Sequence, residues 1–229
     1  MLSKKLVLIR HGESEWNQKN KFTGWYDVKL SKNGINEAIK AGKLLKDKNF
    51  NFDYSYTSLL KRAINTLNII LDQLELSWIP CKKTWFLNER HYGSLQGLNK
   101  LDTEKKYGAE QLYLWRRSYK HFPPKMKENF LFSGFDRRYL KIEKNNLPKS
   151  ESLEKTFERV ILYWNKIILP NIKNGKKILI VAHGNSLRAL IKYLSKINDS
   201  DIADVIVPTG VPLIYEFDEK MNVIKKYFL

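Results

Sequence analysis

A chain of 229 residues, 43% hydrophobic and 13% aromatic, is long enough for one globular core and too apolar for disorder. No apolar run approaches the roughly 20 residues of a membrane-spanning helix, and the 6–9 run, ended by Arg10, is too short for a signal-peptide core, so the expectation is a cytoplasmic protein. A net charge of +17 admits nucleic acid, membrane or an anionic metabolite as partner, yet the lysines fall in scattered pairs such as Lys82/Lys83 among interleaved acids, the pattern of a solvated surface. Cys81 is the only cysteine, which excludes disulfide frameworks and cysteine-based zinc sites; it reads as a small inert hydrophobe.

In chain order, 6–9 is an uninterrupted β-favouring run, suited to a strand buried on both faces. Arg10, His11 and Gly12 follow at its C-terminal end, the edge where open α/β sheets bind ligands. An adjacent arginine disfavours imidazolium, leaving His11 a neutral nucleophile, and can grip a phosphate by paired hydrogen bonds. The stretch 14–24 reads as a loop or short turn; Ser31 caps a helix with Ala38, Ala41, Leu44 and Leu45 at helical spacing. A second strand is predicted over 52–57, and Ser58 as the cap of a helix over 59–74, with Arg62 in its first turn. A third strand falls between 79 and 87, and 87–100 reads as an ordered loop before helical pieces at 102–107 and 109–118. The stretch 118–150, rich in Pro, Lys and Asn, is expected to be a lid-like insertion. A helix from Glu151, ending before Pro170, leads to a strand over 178–182 closed by His183-Gly184-Asn185, with Ser186 capping a helix over 187–194. A hairpin-like pair, 213–217 and 223–228, closes the chain. This order predicts an α/β three-layer sandwich, a single domain over 1–229 with a mostly parallel sheet and helices on both faces.

A strand ending in His-Gly occurs twice, at His11 and His183; if the two strands are neighbours, both imidazoles open into one pocket. The bland readings are that Gly12 and Gly184 are tight turns, Glu89 pairs with Arg90, His91 is a hydrogen-bonded structural residue and His121 a surface one. Trp16, Trp25, Trp85 and Trp115 then belong to core or interface.

The segments L-I-R-H-G-E-S-E-W-N (8–17), F-T-G-W-Y-D-V (22–28), Y-T-S-L-L-K-R-A (56–63), L-N-E-R-H-Y-G-S-L-Q-G-L-N-K (87–100), W-R-R-S (115–118), A-H-G-N-S-L-R-A-L (182–190) and P-T-G-V-P-L-I-Y-E (208–216) run through the whole chain. With them the sequence resembles the cofactor-dependent phosphoglycerate mutases of the histidine phosphatase superfamily. The resemblance implies that His11 is phosphorylated during turnover, that Arg10, Arg62 and His183 surround the transferred phosphoryl group, and that Glu89 is acid and base at the substrate hydroxyl. It implies a binding site of Ser14, Asn17, Thr23, Gly24, Arg62, Glu89, Tyr92, Lys100, Arg116, Arg117, Gly184 and Asn185. It further implies 2,3-bisphosphoglycerate as primer, no metal, small-molecule phosphoglycerates as partners, and a homodimer or tetramer. Neither nucleic acid nor membrane is expected as a partner. Adjacent arginines at 116 and 117 lie roughly 100° apart on a helix, so both reach one ligand only near a helix end or in a wrapped pocket.

Two departures stand out. The family's Pro-Gly-His-Asp-Pro-Arg-Tyr segment is here Ser133-Gly134-Phe135-Asp136-Arg137-Arg138-Tyr139, without the prolines, so a looser loop is expected over 130–139. Many relatives also continue past the position of Leu229 with a mobile tail, so this chain is expected to expose its phosphohistidine to water. The alternatives are a bisphosphoglycerate mutase or phosphatase with the same chemistry, a metal-dependent mutase and, of another class, a basic RNA-binding protein.

Overall fold

The computed structural model describes residues 4–127, 136–143 and 146–229. Six strands form one sheet: β1 (Lys4–Arg10), β2 (Tyr54–Thr57), β3 (Cys81–Lys83), β4 (Ile178–Ala182), β5 (Pro212–Phe217) and β6 (Val223–Phe228), in the order β3-β2-β4-β1-β5-β6. β3, β2, β4 and β1 run parallel, and β5 and β6 extend the sheet antiparallel. Successive residues of a strand point to opposite faces, and the core divides accordingly. Leu6, Leu8, Ile178 and Ile180 pack under α6 (Leu153–Tyr163) and α8 (Gly184–Leu194). Val7, Ile9, Leu179 and Val181 pack against α2 (Lys32–Asp47) and α3 (Lys61–Gln73). The three-layer α/β fold read from the sequence is the fold observed.

Several element boundaries shift by a few residues from those predicted. A short helix, α1 (Glu15–Gln18), sits inside the 14–24 loop because Ser14 and Asn17 cap each other reciprocally. Ser31 caps α2 as expected, accepting from the Gly34 N–H at 3.0 Å. Ser58 does not cap α3: it lies two residues before the N-cap position, its hydroxyl accepts from the Leu60 N–H at 3.1 Å, and the helix starts at Lys61 with no side-chain cap from Leu60. Ser186 does not cap α8, which begins two residues before it; Ser186 lies in the first turn and its hydroxyl accepts from the His183 N–H at 3.1 Å. Ser152, not Glu151, precedes α6, and the helix does not end before Pro170. It continues through a π turn, Trp164–Ile168, into α7 (Leu169–Lys173). The wider turn shifts the hydrogen-bond register just where the proline ring has no N–H to give. α4 (Lys100–Tyr107) starts earlier than predicted because Asn99 caps it, accepting from the Leu101 N–H at 2.8 Å; α5 (Ala109–Arg117) follows at once. Cys81 is exposed on the edge strand rather than packed as a small hydrophobe. The 118–150 segment has no long helix or strand among its described residues, and 128–135, which includes most of the divergent loop, lies outside them. No helix among the described residues is long and apolar enough to cross a membrane.

Candidate active site

Parallel pairing sets the site. Arg10 is in register with Ala182, so the two His-Gly steps that follow stand side by side at one sheet edge. The imidazoles of His11 and His183 meet edge to face, centroids 5.0 Å apart. Gly12 is required by a close approach: a Cβ there would stand 2.2 Å from the Gly34 carbonyl oxygen, so α2 can pass directly beneath the histidine loop.

Within the pocket, the tautomer of His11 follows from its neighbours. Nδ1 lies 2.7 Å from the Gly12 carbonyl, which only accepts, so Nδ1 carries the proton. Nε2 is then the lone pair, and the Arg62 Nε–H donates to it at 3.3 Å. Burial, then the Arg62 and Arg10 charges, hold the His11 pKa well below 6.5, against the opposing pull of the Gly12 carbonyl. The imidazole is therefore neutral at pH 7, with a lone pair facing the pocket. His183 is fully buried behind it rather than lining the pocket; its Nε2 is 2.7 Å from the Ser58 hydroxyl, and burial and Arg62 keep it neutral too.

Among the described residues, no carboxylate is bonded to Arg62. Its Nη groups donate to the Tyr26 and Gly24 carbonyls at 2.8 Å each, and burial lowers its pKa to about 10, so it stays charged at neutral pH. Arg10 donates through Nη1 to the Val207 carbonyl at 2.9 Å, while its buried Nε has no hydrogen-bond partner among the described residues. That orphaned donor, on a residue that lines the same pocket as His11, suits an anion's oxygen.

Glu89 faces these groups from the 87–100 loop. Its Oε1 accepts from the Asn185 N–H at 3.0 Å and the Arg90 N–H at 2.8 Å, so it does not pair with the Arg90 guanidinium. That loop is braced from behind by the buried Arg159–Glu151 pair, N to O 2.7 Å, with Arg159 also donating to the carbonyls of Asn88 at 3.0 Å and Glu89 at 3.0 Å. His91 is structural as read, its Nδ1 accepting from the Gly93 N–H at 3.0 Å.

The pocket joins Arg10, His11, Asn17, Thr23, Gly24, Arg62, Glu89, Tyr92, Lys100, Arg116, Arg117, Gly184 and Asn185, all expected from the sequence. Ser14 is fully buried and acts one step back, its hydroxyl accepting from the Asn17 N–H at 3.2 Å. Lys21, Phe22, Arg188 and 205–207 also line it, outside the expected set; Lys21 follows Lys19 in the 14–24 loop and carries no readable signal of its own. Arg116 and Arg117 both reach the pocket because α5 ends at Arg117. Arg90 donates to the carbonyls of Trp115 at 2.7 Å and Arg116 at 3.0 Å, and Arg188 to that of Arg117 at 3.3 Å, so two buried cations cap the end of α5. Lys100, Arg116 and Arg117 crowd enough that burial, and then Arg116, pull the Lys100 pKa down. Among the lining residues Glu89 is the only carboxylate, and no three His, Cys, Asp or Glu among the described residues converge to hold a metal.

The model of branch 1 of the histidine phosphatase superfamily matches residues 6–142 and 132–229. The chain belongs to this superfamily and is an enzyme of its kind. Its fold is similar to that of mycobacterial glucosyl-3-phosphoglycerate phosphatase with bound VO3, at 19% identity over 98% of this chain and 97% of that one, TM-score 0.74. It is also similar to the YhfR protein of Bacillus stearothermophilus, at 21% identity over 96% and 93% of the chains, TM-score 0.72. The α-ribazole phosphatase of Shigella flexneri aligns at 22% identity over 96% and 94%, TM-score 0.70. These likenesses speak for the fold.

Proposed function

We propose that this histidine phosphatase superfamily member interconverts 3-phosphoglycerate and 2-phosphoglycerate through a phosphohistidine at His11. The observation that carries the reading is a neutral His11 with its Nε2 lone pair facing a pocket lined by cationic side chains and one carboxylate, Glu89. Arg62 bonds to His11; Lys100, Arg116 and Arg117, close enough to act on one another, supply further cations, which suits a substrate carrying both a phosphate and a carboxylate.

His11 Nε2 forms the new N–P bond as the donor P–O bond breaks, and the phosphoryl oxygens take over the Arg62 N–H that Nε2 otherwise accepts. Two guanidiniums then balance charge on those oxygens, and positioning with electrostatic stabilisation does more than proton transfer, which supplies only about 10²–10⁴-fold. Glu89 takes the proton from the 2-hydroxyl of 3-phosphoglycerate as that oxygen attacks phosphorus and regenerates neutral His11. It returns a proton to the 3-oxygen when that position gives its phosphoryl group back to His11, for a net isomerisation. The orphaned Nε of Arg10 and these cations fit 2,3-bisphosphoglycerate as well, with Arg10 and Arg62 holding one phosphate and Lys100, Arg116 and Arg117 the other end. When bound, that compound supplies the phosphoryl group that primes His11.

A second reading, a phosphatase, is favoured by the phosphatases among the similar structures, one of them named for a glucosylated 3-phosphoglycerate. Incubation with 3-phosphoglycerate and a trace of 2,3-bisphosphoglycerate separates the two: 2-phosphoglycerate forms under the first, only free phosphate under the second. An acid-labile label at His11, lost in His11→Asn, is expected under both; its absence ends both.

A further inference from the structure

Arg138 and Tyr139 lie in the segment whose sequence departs from the family pattern, well away in sequence from every pocket residue, yet they dock on the loop that holds Arg62. The Tyr139 ring stacks on Trp25, centroids 5.1 Å apart at 25°, and its hydroxyl accepts from Asn88 Nδ2 at 2.9 Å. Asp136 grips the Arg138 guanidinium through both carboxylate oxygens, Nε to Oδ1 2.9 Å and Nη2 to Oδ2 2.6 Å, which aims the remaining nitrogen. That Nη1 donates to Asp27 Oδ2 at 2.7 Å. The other Asp27 oxygen accepts from the Lys61 N–H at 2.6 Å and so caps the helix that α3's own sequence leaves uncapped. Arg62 is the next residue, and its guanidinium rests on the carbonyls of Gly24 and Tyr26, either side of Trp25. Trp25 in turn donates through Nε1 to the Glu89 carbonyl at 2.5 Å.

A partly exposed ion pair of this kind adds little stability by itself. Its placement matters more: one side chain fixes the carboxylate that starts α3, and the other packs the tryptophan between the two carbonyls that seat Arg62. We propose that Arg138 and Tyr139 are positioning residues which latch the 136–142 segment onto the 24–27 loop and thereby hold Arg62 against the transferred phosphoryl group. The proposal rests on the phosphohistidine reading above but not on the isomerase half of it.

The test is the single-turnover rate of His11 phosphorylation in Arg138→Ala and Tyr139→Leu, which removes the ring stacked on Trp25, each made in the native chain and in Arg62→Lys, with thermal melting of every variant. Groups that act through one another are non-additive. In the native background each is expected to slow phosphorylation about tenfold, with donor KM within about twofold. In the Arg62→Lys background each should cost less than about twofold further. Native rates for both variants, or equal losses in both backgrounds, would overturn the latch. If one of the two does not fold, the other pair decides. Two donors are used, labelled 2,3-bisphosphoglycerate and p-nitrophenyl phosphate. Turnover of the second alone sinks the mutase reading and leaves the latch readable; turnover of neither overturns both.

Discussion

Acidification from pH 6.5 to 5 should destabilise this protein steeply, because three of its four histidines are buried in neutral form. Burial holds His91 near a pKa of about 4, and holds His11 and His183 well below 6.5, with Arg62 the next contributor for each. The unfolded chain takes up protons at the ordinary value near 6.5 while the folded chain refuses them. Stability is thus fully present above pH 6.5 and is lost as the pH falls towards the depressed folded values. For His91 the span from 6.5 to about 4 amounts to roughly 3 kcal/mol in all. The slope once the unfolded histidines are charged depends only on how many there are: about 1.4 kcal/mol per pH unit each, hence roughly 4 for three. Against a total of roughly 5–15 kcal/mol this is large, and most carboxylates stay ionised above pH 5. Urea unfolding followed by tryptophan fluorescence at pH 5.0, 5.5, 6.0, 6.5 and 7.5 reads it directly. His91→Gln should lower the slope by one third. A stability that is flat between pH 6.5 and 5, or a slope unmoved by His91→Gln, would refute the burial argument.

Three further substitutions follow from contacts already described. Glu89→Gln should reduce isomerisation about 10²–10⁴-fold in a coupled assay and slow His11 labelling from 2,3-bisphosphoglycerate as well, since Glu89 supplies the proton in that step too. Gly12→Ala forces the new Cβ, 2.2 Å from the Gly34 oxygen, to move α2; a loss of about 1–3 kcal/mol is expected in denaturant titration. Arg159→Met leaves Glu151 buried and unpaired beneath the Glu89 loop and should cost about 3–5 kcal/mol by the same measurement.

What the sequence made legible was whatever depends on local pattern. The apolar runs at 6–9 and 178–182 are strands because nothing polar interrupts them, and their shared His-Gly endings stand side by side at one sheet edge. Cap positions were less legible, since α3 takes its cap from Asp27, 34 residues away, and no local residue announces that. The helix through Pro170 was missed because a π turn leaves no mark in the side-chain pattern. Lys21, Arg188 and the 205–207 wall reach the pocket only through tertiary packing. Arg90 and Arg188 look in sequence like ordinary surface cations, and only their buried carbonyl contacts assign them to the end of α5.

That capped helix end gives the reading its most discriminating consequence. Arg116 and Arg117 are the last two residues of α5 and line the same pocket as Lys100, Arg10, His11 and Arg62. If they hold the second anion of a phosphoglycerate, each charge-assisted hydrogen bond contributes about 1.5–3 kcal/mol, or roughly 10–100-fold in KM. Arg116→Gln and Arg117→Gln should therefore raise KM for 3-phosphoglycerate by about that factor. Hydrolysis of p-nitrophenyl phosphate, which lacks a second anion, should fall far less. A phosphohistidine left facing a badly held acceptor is also more often taken by water, so the ratio of free phosphate to 2-phosphoglycerate should rise in both variants. Equal losses on the two substrates would mean that the cluster shapes the pocket rather than reads the substrate, and the case for a doubly anionic ligand would go with it.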